Sequence, residues 1–132
     1  AMWRDDHQDV EGVHWVGRLE DEVLVSAIAG ANALLYLPFF EGFGVPVVEA
    51  MACGIPVVAS DTSSLPEVCG GAAAALVNPN DFEGAAQALL DLEKDAVLFK
   101  EKSNAGILRA EDFSWDKSAE KFSSIITELL RS

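Results

Sequence analysis

Positive charge is what this sequence has least of. Of its 132 residues nine are Lys or Arg and 22 are Asp or Glu, which gives a formal net charge of −13. No Lys or Arg occurs between Leu19 and Glu93, a stretch that carries eleven acidic residues. Binding to nucleic acid requires clustered cations that neutralise phosphates, so the composition excludes nucleic acid as the partner.

Long apolar runs and cysteines are also scarce. No run reaches the ~18–20 apolar residues of a membrane-spanning helix, and we expect no signal peptide in the polar first residues. Cys53 and Cys69 are the two cysteines. They lie among small and apolar residues, which predicts free thiols and a reducing, cytoplasmic location. Half of the residues are hydrophobic, enough for one domain with a core.

The hydrophobic pattern predicts an α/β domain. Short apolar runs indicate strands at 13–17, 33–37, 55–60 and 73–77. Helical patterns follow the first two strands, and further helices are predicted at 81–93, 96–110 and 114–130. This alternation predicts a parallel sheet of about four strands followed by C-terminal helices. The unbroken apolar run at 33–37 predicts a strand covered on both faces.

The stretch EGFGVPVVEAMACG at 41–54 joins a glycine-rich loop to a short helix. Pro46 suits the first helical turn because its missing N–H is not needed there. Gly44 is predicted as the N-cap and Gly54 as the residue just past the helix. In parallel sheets ligands bind beyond the carboxyl ends of strands, near helix N-termini, and this loop follows the predicted strand at 33–37. The stretch is therefore the candidate ligand site.

Two carboxylates, Glu41 and Glu49, flank this junction. They can accept hydrogen bonds from ligand hydroxyls, while free N–H groups at Gly44 and Val45 can bind phosphate. The residues alone thus predict a small molecule with phosphate and hydroxyl groups. The alternative is that one acid is a solvated loop residue and the other only complements the helix dipole. Apart from these N–H groups only Arg18 is at hand, so the cations that a diphosphate needs are expected on other sequence.

The motif at 41–60, EGFGVPVVEAMACGIPVVAS, closely resembles the donor-site signature of retaining glycosyltransferases of the GT-B fold, in particular family four. The likeness continues through the segments 13–24, 63–68, 70–73, 75–79 and 113–115. It implies that 1–132 form a single partial nucleotide-sugar-binding domain, the latter part of a Rossmann-like C-terminal domain. Its strands and motif would occupy 13–78 and its helical tail 81–131.

The resemblance implies roles for the residues of the motif. Glu41 would be the catalytic-site residue that positions the transferred sugar without attacking it, and Glu49 would bind the ribose hydroxyls. The backbone that approaches the sugar and the distal phosphate would be that of Gly42, Phe43, Gly44 and Val45. In such enzymes the leaving diphosphate helps to deprotonate the acceptor on the same face of the sugar. Configuration is then retained, and neither a cofactor nor a metal is required.

The chain also departs from the family pattern. Leu37 and Pro38 stand where Pro-Ser is usual, and Gly70-Gly71 replaces Gly-Asp. Family members have an N-terminal acceptor-binding domain and two further β-α units that carry the diphosphate-binding Arg and Lys. We therefore expect a truncated domain that is inactive alone, with a nucleotide-sugar donor and, through the missing domain, an acceptor as partners. Self-association of this chain and peripheral membrane association of the whole enzyme are further candidate contacts.

Two other functions remain open. A non-catalytic nucleotide-sugar-binding or interaction module would keep the fold without transfer. A carbohydrate phosphorylase would call for a cofactor-bearing lysine, and no lysine precedes Lys94. In the doubly wound strand order the segment 13–17 would lack its neighbours, so we expect it to be displaced, paired with 33–37, or paired with another molecule. Phe113 and Trp115 are predicted as packing anchors, and the apolar stripe of the last helix as partly exposed.

Overall fold

The computed structural model describes residues 10–131. Its first elements are helix α1 (Asp21–Ala29), strand β1 (Leu34–Tyr36), α2 (Val45–Ala52), β2 (Val57–Ser60), α3 (Leu65–Cys69) and β3 (Ala75–Val77). Three longer helices follow: α4 (Phe82–Lys94), α5 (Ala96–Ala110) and α6 (Trp115–Arg131). Strands and helices alternate up to β3, as the sequence predicts, and helices alone follow.

The three strands form one parallel sheet in the order β1-β2-β3. Leu35 is opposite Val58, and Ala59 is opposite Leu76. All four residues of the central strand β2 are buried. This arrangement confirms the prediction of a parallel α/β sheet followed by C-terminal helices.

The sheet has three strands where about four were predicted, because 13–17 is not a strand. Val13 and Trp15 are 44% exposed and Val16 is 67% exposed. A strand exists only through a ladder partner for its N–H and C=O groups, and within residues 10–131 the one ladder of β1 is to β2. Of the expected outcomes for this segment, the structure excludes pairing with 33–37.

Strand β1 is covered less completely than predicted. Leu34 and Tyr36 pack against the core beside α2, whereas Leu35, on the opposite face, is 47% exposed. The prediction of cover on both faces was wrong at Leu35. Its neighbours on that face, Ala33 and Leu37, pack only partly buried against the cluster of Val58, Ala85 and Leu92, and α4 makes its main contacts with β2 and β3.

The core lies on both faces of β2. On one face α2 and α3 cover the sheet, with Val47, Met51 and Leu65 almost fully buried. On the other face Val58 meets Ala85 and Leu92 of α4. Helix α5 packs across α2, where a Cβ on Gly106 would lie 3.3 Å from Met51 Cγ. The helices after β3 therefore hold both sides of the sheet.

Helix termini follow local hydrogen-bond chemistry. Asp81 Oδ1 accepts the Gly84 N–H at 2.9 Å, and Ser114 Oγ accepts the Lys117 N–H at 3.1 Å, which confirms both predicted caps. The apolar stripe of α6 is exposed as predicted, with Phe122 at 68%. Trp115 is 89% exposed, so its prediction as a packing anchor was wrong: it begins a helix that has no buried residue. Phe113, half-buried against the core, is such an anchor.

Candidate functional site

Two loops meet at the carboxyl end of the sheet. The glycine loop, residues 38–44, leaves β1 and enters α2, and the hydroxyl loop, residues 61–64, leaves β2 and enters α3. Because β1 and β2 are parallel neighbours, both loops emerge at the same edge. This is the edge at which ligands bind in open α/β sheets.

Hydroxyl side chains tie the glycine loop to its neighbour. The fully buried Ser60 donates from Oγ to the Pro38 carbonyl at 2.8 Å. Ser64 Oγ donates to the Phe43 carbonyl at 2.9 Å and lies 3.2 Å from the Glu41 carbonyl. Ser63 Oγ accepts the Glu41 N–H at 3.2 Å. The backbone of Ser63 itself has a positive φ of +56°. The backbone of the glycine loop is thus held at its start, middle and end.

Glu41 occupies the middle of this loop and is half-buried. Its Oε2 accepts the phenol O–H of Tyr36, and its Oε1 accepts the Gly42 N–H at 2.9 Å. The Tyr36 hydrogen bond, followed by the N–H groups of Phe43 and Gly42, holds the pKa of the Glu41 carboxyl below its usual value, although burial opposes this. The same contact raises the pKa of Tyr36. Glu41 is therefore a fixed, ionised acceptor.

The N-terminus of α2 has the predicted geometry. Gly44 is the N-cap with φ of +104°, Pro46 lies in the first turn, and Gly54, with φ of +73°, follows the C-terminus. The Gly44 carbonyl accepts from the third and fourth residues after it. Within residues 10–131 the N–H groups of Gly44 and Val45 have no hydrogen-bond partner. Val45 is exposed, so its N–H is available to an anion at the positive end of the helix dipole, whereas Gly44 is buried.

Glu49 lies one helical turn after Val45, on the same face of α2. Both side chains are exposed, Val45 at 53%. Among the described residues no hydrogen bond or ion pair engages the Glu49 carboxylate, so it can accept hydroxyl groups from a ligand. The structure thus brings Glu41, the N–H groups of Gly44 and Val45, and Glu49 into succession along one loop and one helix face.

The far side of the glycine loop is braced by the end of α5. The rings of Phe43 and Phe113 meet edge to face with centroids 5.6 Å apart. The Arg109 guanidinium lies 4.7 Å from the Phe113 ring centroid and donates to the carbonyls of Val68 and Glu67 at 2.9 and 2.7 Å. This arginine is committed to α3, so it does not act as a phosphate ligand in this arrangement. Arg18, the other candidate cation, is exposed before α1.

Sequence reasoning missed the side chains that organise this site. These are Tyr36, Ser60, Ser63 and Ser64. A signal was present, because Tyr36 and Ser60 end two neighbouring strands and the other two follow the second strand. What could not be read from the sequence is that their hydroxyls turn towards the glycine loop.

Metal and membrane features can be stated for the part of the chain that the structure describes. Within residues 10–131 no group of three or more His, Cys, Asp and Glu side chains is arranged to hold a metal ion. No described helix combines the length and the hydropathy needed to span a bilayer.

A family model with the description "Glycosyl transferases group 1" matches residues 5–113, which include both loops, Glu41 and Glu49. The chain belongs to this family. The resemblance drawn from the motif at 41–60 is thereby confirmed. The glycine loop and the N-terminus of α2 are accordingly part of a glycosyltransferase domain.

Relatives of this chain are found among both curated proteins and solved structures. It is 41% identical over 104 residues to the O-antigen chain mannosyltransferase B of Escherichia coli, covering 79% of this chain and 27% of that protein. It is 39% identical over 110 residues to the MMP alpha-(1->4)-mannosyltransferase of Mycolicibacterium hassiacum, covering 81% and 27%. The sucrose-phosphate synthase of Thermosynechococcus elongatus matches its fold with a TM-score of 0.83 at 25% identity, over 98% of this chain and 33% of that one.

The chain is much shorter than the proteins that it matches. It spans about a quarter of the length of the two curated relatives and a third of the solved structure. The high TM-score over nearly the whole chain confirms the GT-B relationship of its Rossmann-like sheet.

Proposed function

We propose that this chain is the donor-binding part of a retaining glycosyltransferase that transfers a sugar from a nucleotide-diphosphate sugar to an acceptor. One observation carries the proposal. An ionised Glu41, two free N–H groups at a helix N-terminus, and an unpaired Glu49 follow one another along the glycine loop and α2. A sugar, a diphosphate and a ribose follow one another in the same way along a nucleotide-sugar.

In this proposal each group has one task. Glu41 accepts hydrogen bonds from sugar hydroxyls and stabilises positive charge that develops on the sugar. The Gly44 and Val45 N–H groups bind the distal phosphate. The N–H groups of Gly42 and Phe43 hold the Glu41 carboxylate, so the backbone of these two residues lies beside the sugar. Glu49 accepts from the ribose hydroxyls, a charge-assisted contact worth about 1.5–3 kcal/mol.

The proposed reaction leaves the nucleoside diphosphate as the product on the donor side. The bond between the anomeric carbon and the phosphate oxygen breaks, and the acceptor oxygen bonds to that carbon on the same face. The acceptor proton passes to the departing diphosphate, so the charges balance without a cofactor or metal. Retention is supported by the resemblance of the Glu41–Glu49 motif to retaining enzymes. The anomeric proton coupling of the transferred sugar tests it, and an inverted anomer contradicts it.

We further propose that the chain binds donor but does not transfer sugar alone, and that it acts in the cytoplasm. The absence of Lys and Arg between Leu19 and Glu93 supports the first point, because a diphosphate in an active site requires cations. Two free thiols, Cys53 and Cys69, support the second. Sugar release or transfer by the chain alone would contradict the inactivity.

Donor binding is tested by amide chemical shifts of this chain during titration with GDP-mannose, UDP-glucose and the matching nucleoside diphosphates, up to millimolar concentrations. We expect the Gly44 and Val45 amides to shift. Glu49→Gln should weaken the binding of sugar-bearing and sugar-free nucleotides alike, roughly tenfold or more. Glu41→Gln should weaken the binding of only the sugar-bearing nucleotides. Glu83→Gln, which removes an acid from the first turn of α4, is the matched control. It should leave the binding of both kinds of nucleotide unchanged. If no nucleotide shifts the α2 amides, the proposed function is wrong.

A further inference from the structure

Tyr36 ends β1 with its side chain turned towards the candidate sugar site. Its phenol O–H donates to Glu41 Oε2, and its ring packs half-buried against the core cluster that contains Val47 and Ala59. Its Cα is in register with Ala59 of the buried central strand. A ring fixed by packing, with two side-chain torsions, directs its hydroxyl with little conformational freedom.

The carboxylate of Glu41 is held at both oxygens. Oε2 accepts from Tyr36, and Oε1 accepts the Gly42 N–H at 2.9 Å. Two contacts on two atoms fix the plane of the carboxylate, and each oxygen retains acceptor capacity for a ligand. We propose that Tyr36 is a positioning residue, which holds the Glu41 carboxylate in the orientation that receives the hydroxyls of the donor sugar. This inference rests on the proposed function.

The backbone of the glycine loop does not depend on Tyr36. Ser60 holds the Pro38 carbonyl at 2.8 Å, Ser63 receives the Glu41 N–H at 3.2 Å, and Ser64 holds the Phe43 carbonyl at 2.9 Å. Removing the phenol oxygen therefore frees Glu41 Oε2, while the Gly42 N–H still holds Oε1 and the loop stays attached. A positioning role and a structural role can be separated for this reason.

The electrostatics agree with the geometry. The Tyr36 hydrogen bond is the largest influence that lowers the pKa of Glu41, and the Glu41 contact is the largest that raises the pKa of Tyr36. Each group therefore favours the charge state in which the phenol donates and the carboxylate accepts. Without the phenol, Glu41 becomes protonated at a higher pH and loses acceptor capacity as the pH falls.

Tyr36→Phe is the test, because it keeps the ring packing and removes only the hydroxyl. The side-chain carboxyl carbon of Glu41 is followed by NMR against pH in the labelled chain, and GDP-mannose and GDP are titrated as probes of sugar-bearing and sugar-free binding. We expect the variant to raise the pKa of Glu41 and to weaken the binding of GDP-mannose roughly three- to tenfold, with the binding of GDP unchanged. The acid limb of GDP-mannose binding should move to higher pH by the same amount as the pKa of Glu41.

Ser64→Ala is the matched control, since it removes a hydroxyl from the loop backbone and leaves the carboxylate pair intact. It should leave the pKa of Glu41 unchanged. An unchanged Glu41 titration in Tyr36→Phe, or equal losses for GDP-mannose and GDP, overturns the positioning role while donor binding by the parent chain stands. If the parent chain binds UDP-glucose rather than GDP-mannose, UDP-glucose and UDP serve as the probe pair. If it binds neither pair, the proposed function fails, and the positioning role fails with it.

Discussion

Gly44 joins the glycine loop to α2, and replacing it by alanine should be among the most destabilising single changes in the loop. Its φ of +104° is unfavourable for any residue with a Cβ, which costs roughly 1–2 kcal/mol. A Cβ there would lie 2.6 Å from Leu65 Cδ2, and because Leu65 is fully buried its side chain would have to shift within the core. Overpacking of this kind costs roughly 1–3 kcal/mol.

The two costs add to about 2–5 kcal/mol, a large part of the stability of a domain of this size. Urea unfolding followed by far-ultraviolet circular dichroism measures the loss, because the described tryptophans, Trp15 and Trp115, are 44% and 89% exposed and lie outside the core. At roughly 3–5 °C per kcal/mol, Tm should fall by at least about 6 °C.

Two glycines and one double variant separate the two costs. Gly71 has φ of +88° and open space around it, so Gly71→Ala should show the backbone cost alone, roughly 1–2 kcal/mol. Gly42 has neither a left-handed φ nor a neighbour within 4 Å, so Gly42→Ala should be nearly neutral. In a Leu65→Ala background the contact is gone, and Gly44→Ala should cost no more than Gly71→Ala. An undiminished cost in that background would refute the steric explanation.

Three further outcomes are expected. Tyr36 is the chain's one tyrosine, so ultraviolet absorbance reports its ionisation alone. Glu41→Gln should lower the pKa of Tyr36 towards its usual value. An unchanged titration of Tyr36 in this variant would show that the hydrogen bond between the two side chains does not form. Because the folded-state pKa of Tyr36 is raised, its contribution to stability is present below the ordinary value and is lost as pH rises through the folded-state value. Arg109→Leu should lower the free energy of unfolding by about 2 kcal/mol through loss of its charged donors to the carbonyls at the end of α3, and Arg109→Lys should recover little of it. Asp95→Ala should cost about 1 kcal/mol, because its side chain accepts two N–H groups in the first turn of α5; a loss below a few tenths would contradict that capping role.

Features that depend on neighbouring residues were readable from the sequence. Gly44 and Gly54 marked the ends of α2, and Asp81 and Ser114 capped their helices, because these choices are made by hydrogen bonds and backbone torsions within one turn. The position of the candidate site was also predictable, since parallel strands fix the edge at which their loops emerge.

Features that depend on distant partners were not readable. The segment 13–17 has the composition of a strand, but only a ladder partner makes it one. Tyr36 and Glu41 are five residues apart with no helical or strand period, so nothing in their spacing predicts the contact. Ser63 and Ser64 reach the glycine loop from more than twenty residues away, and only the register of β1 with β2 brings them there.

The tie between the two loops has a practical consequence for engineering chimeras. Substrate preference is often transplanted by exchanging a single loop between related enzymes. In this domain the shape of 38–44 is set by hydroxyl groups at Ser60, Ser63 and Ser64, which belong to another segment. A graft of 38–44 alone would therefore arrive without the contacts that shape it, and the smallest transferable unit is the pair of segments 36–44 and 60–64.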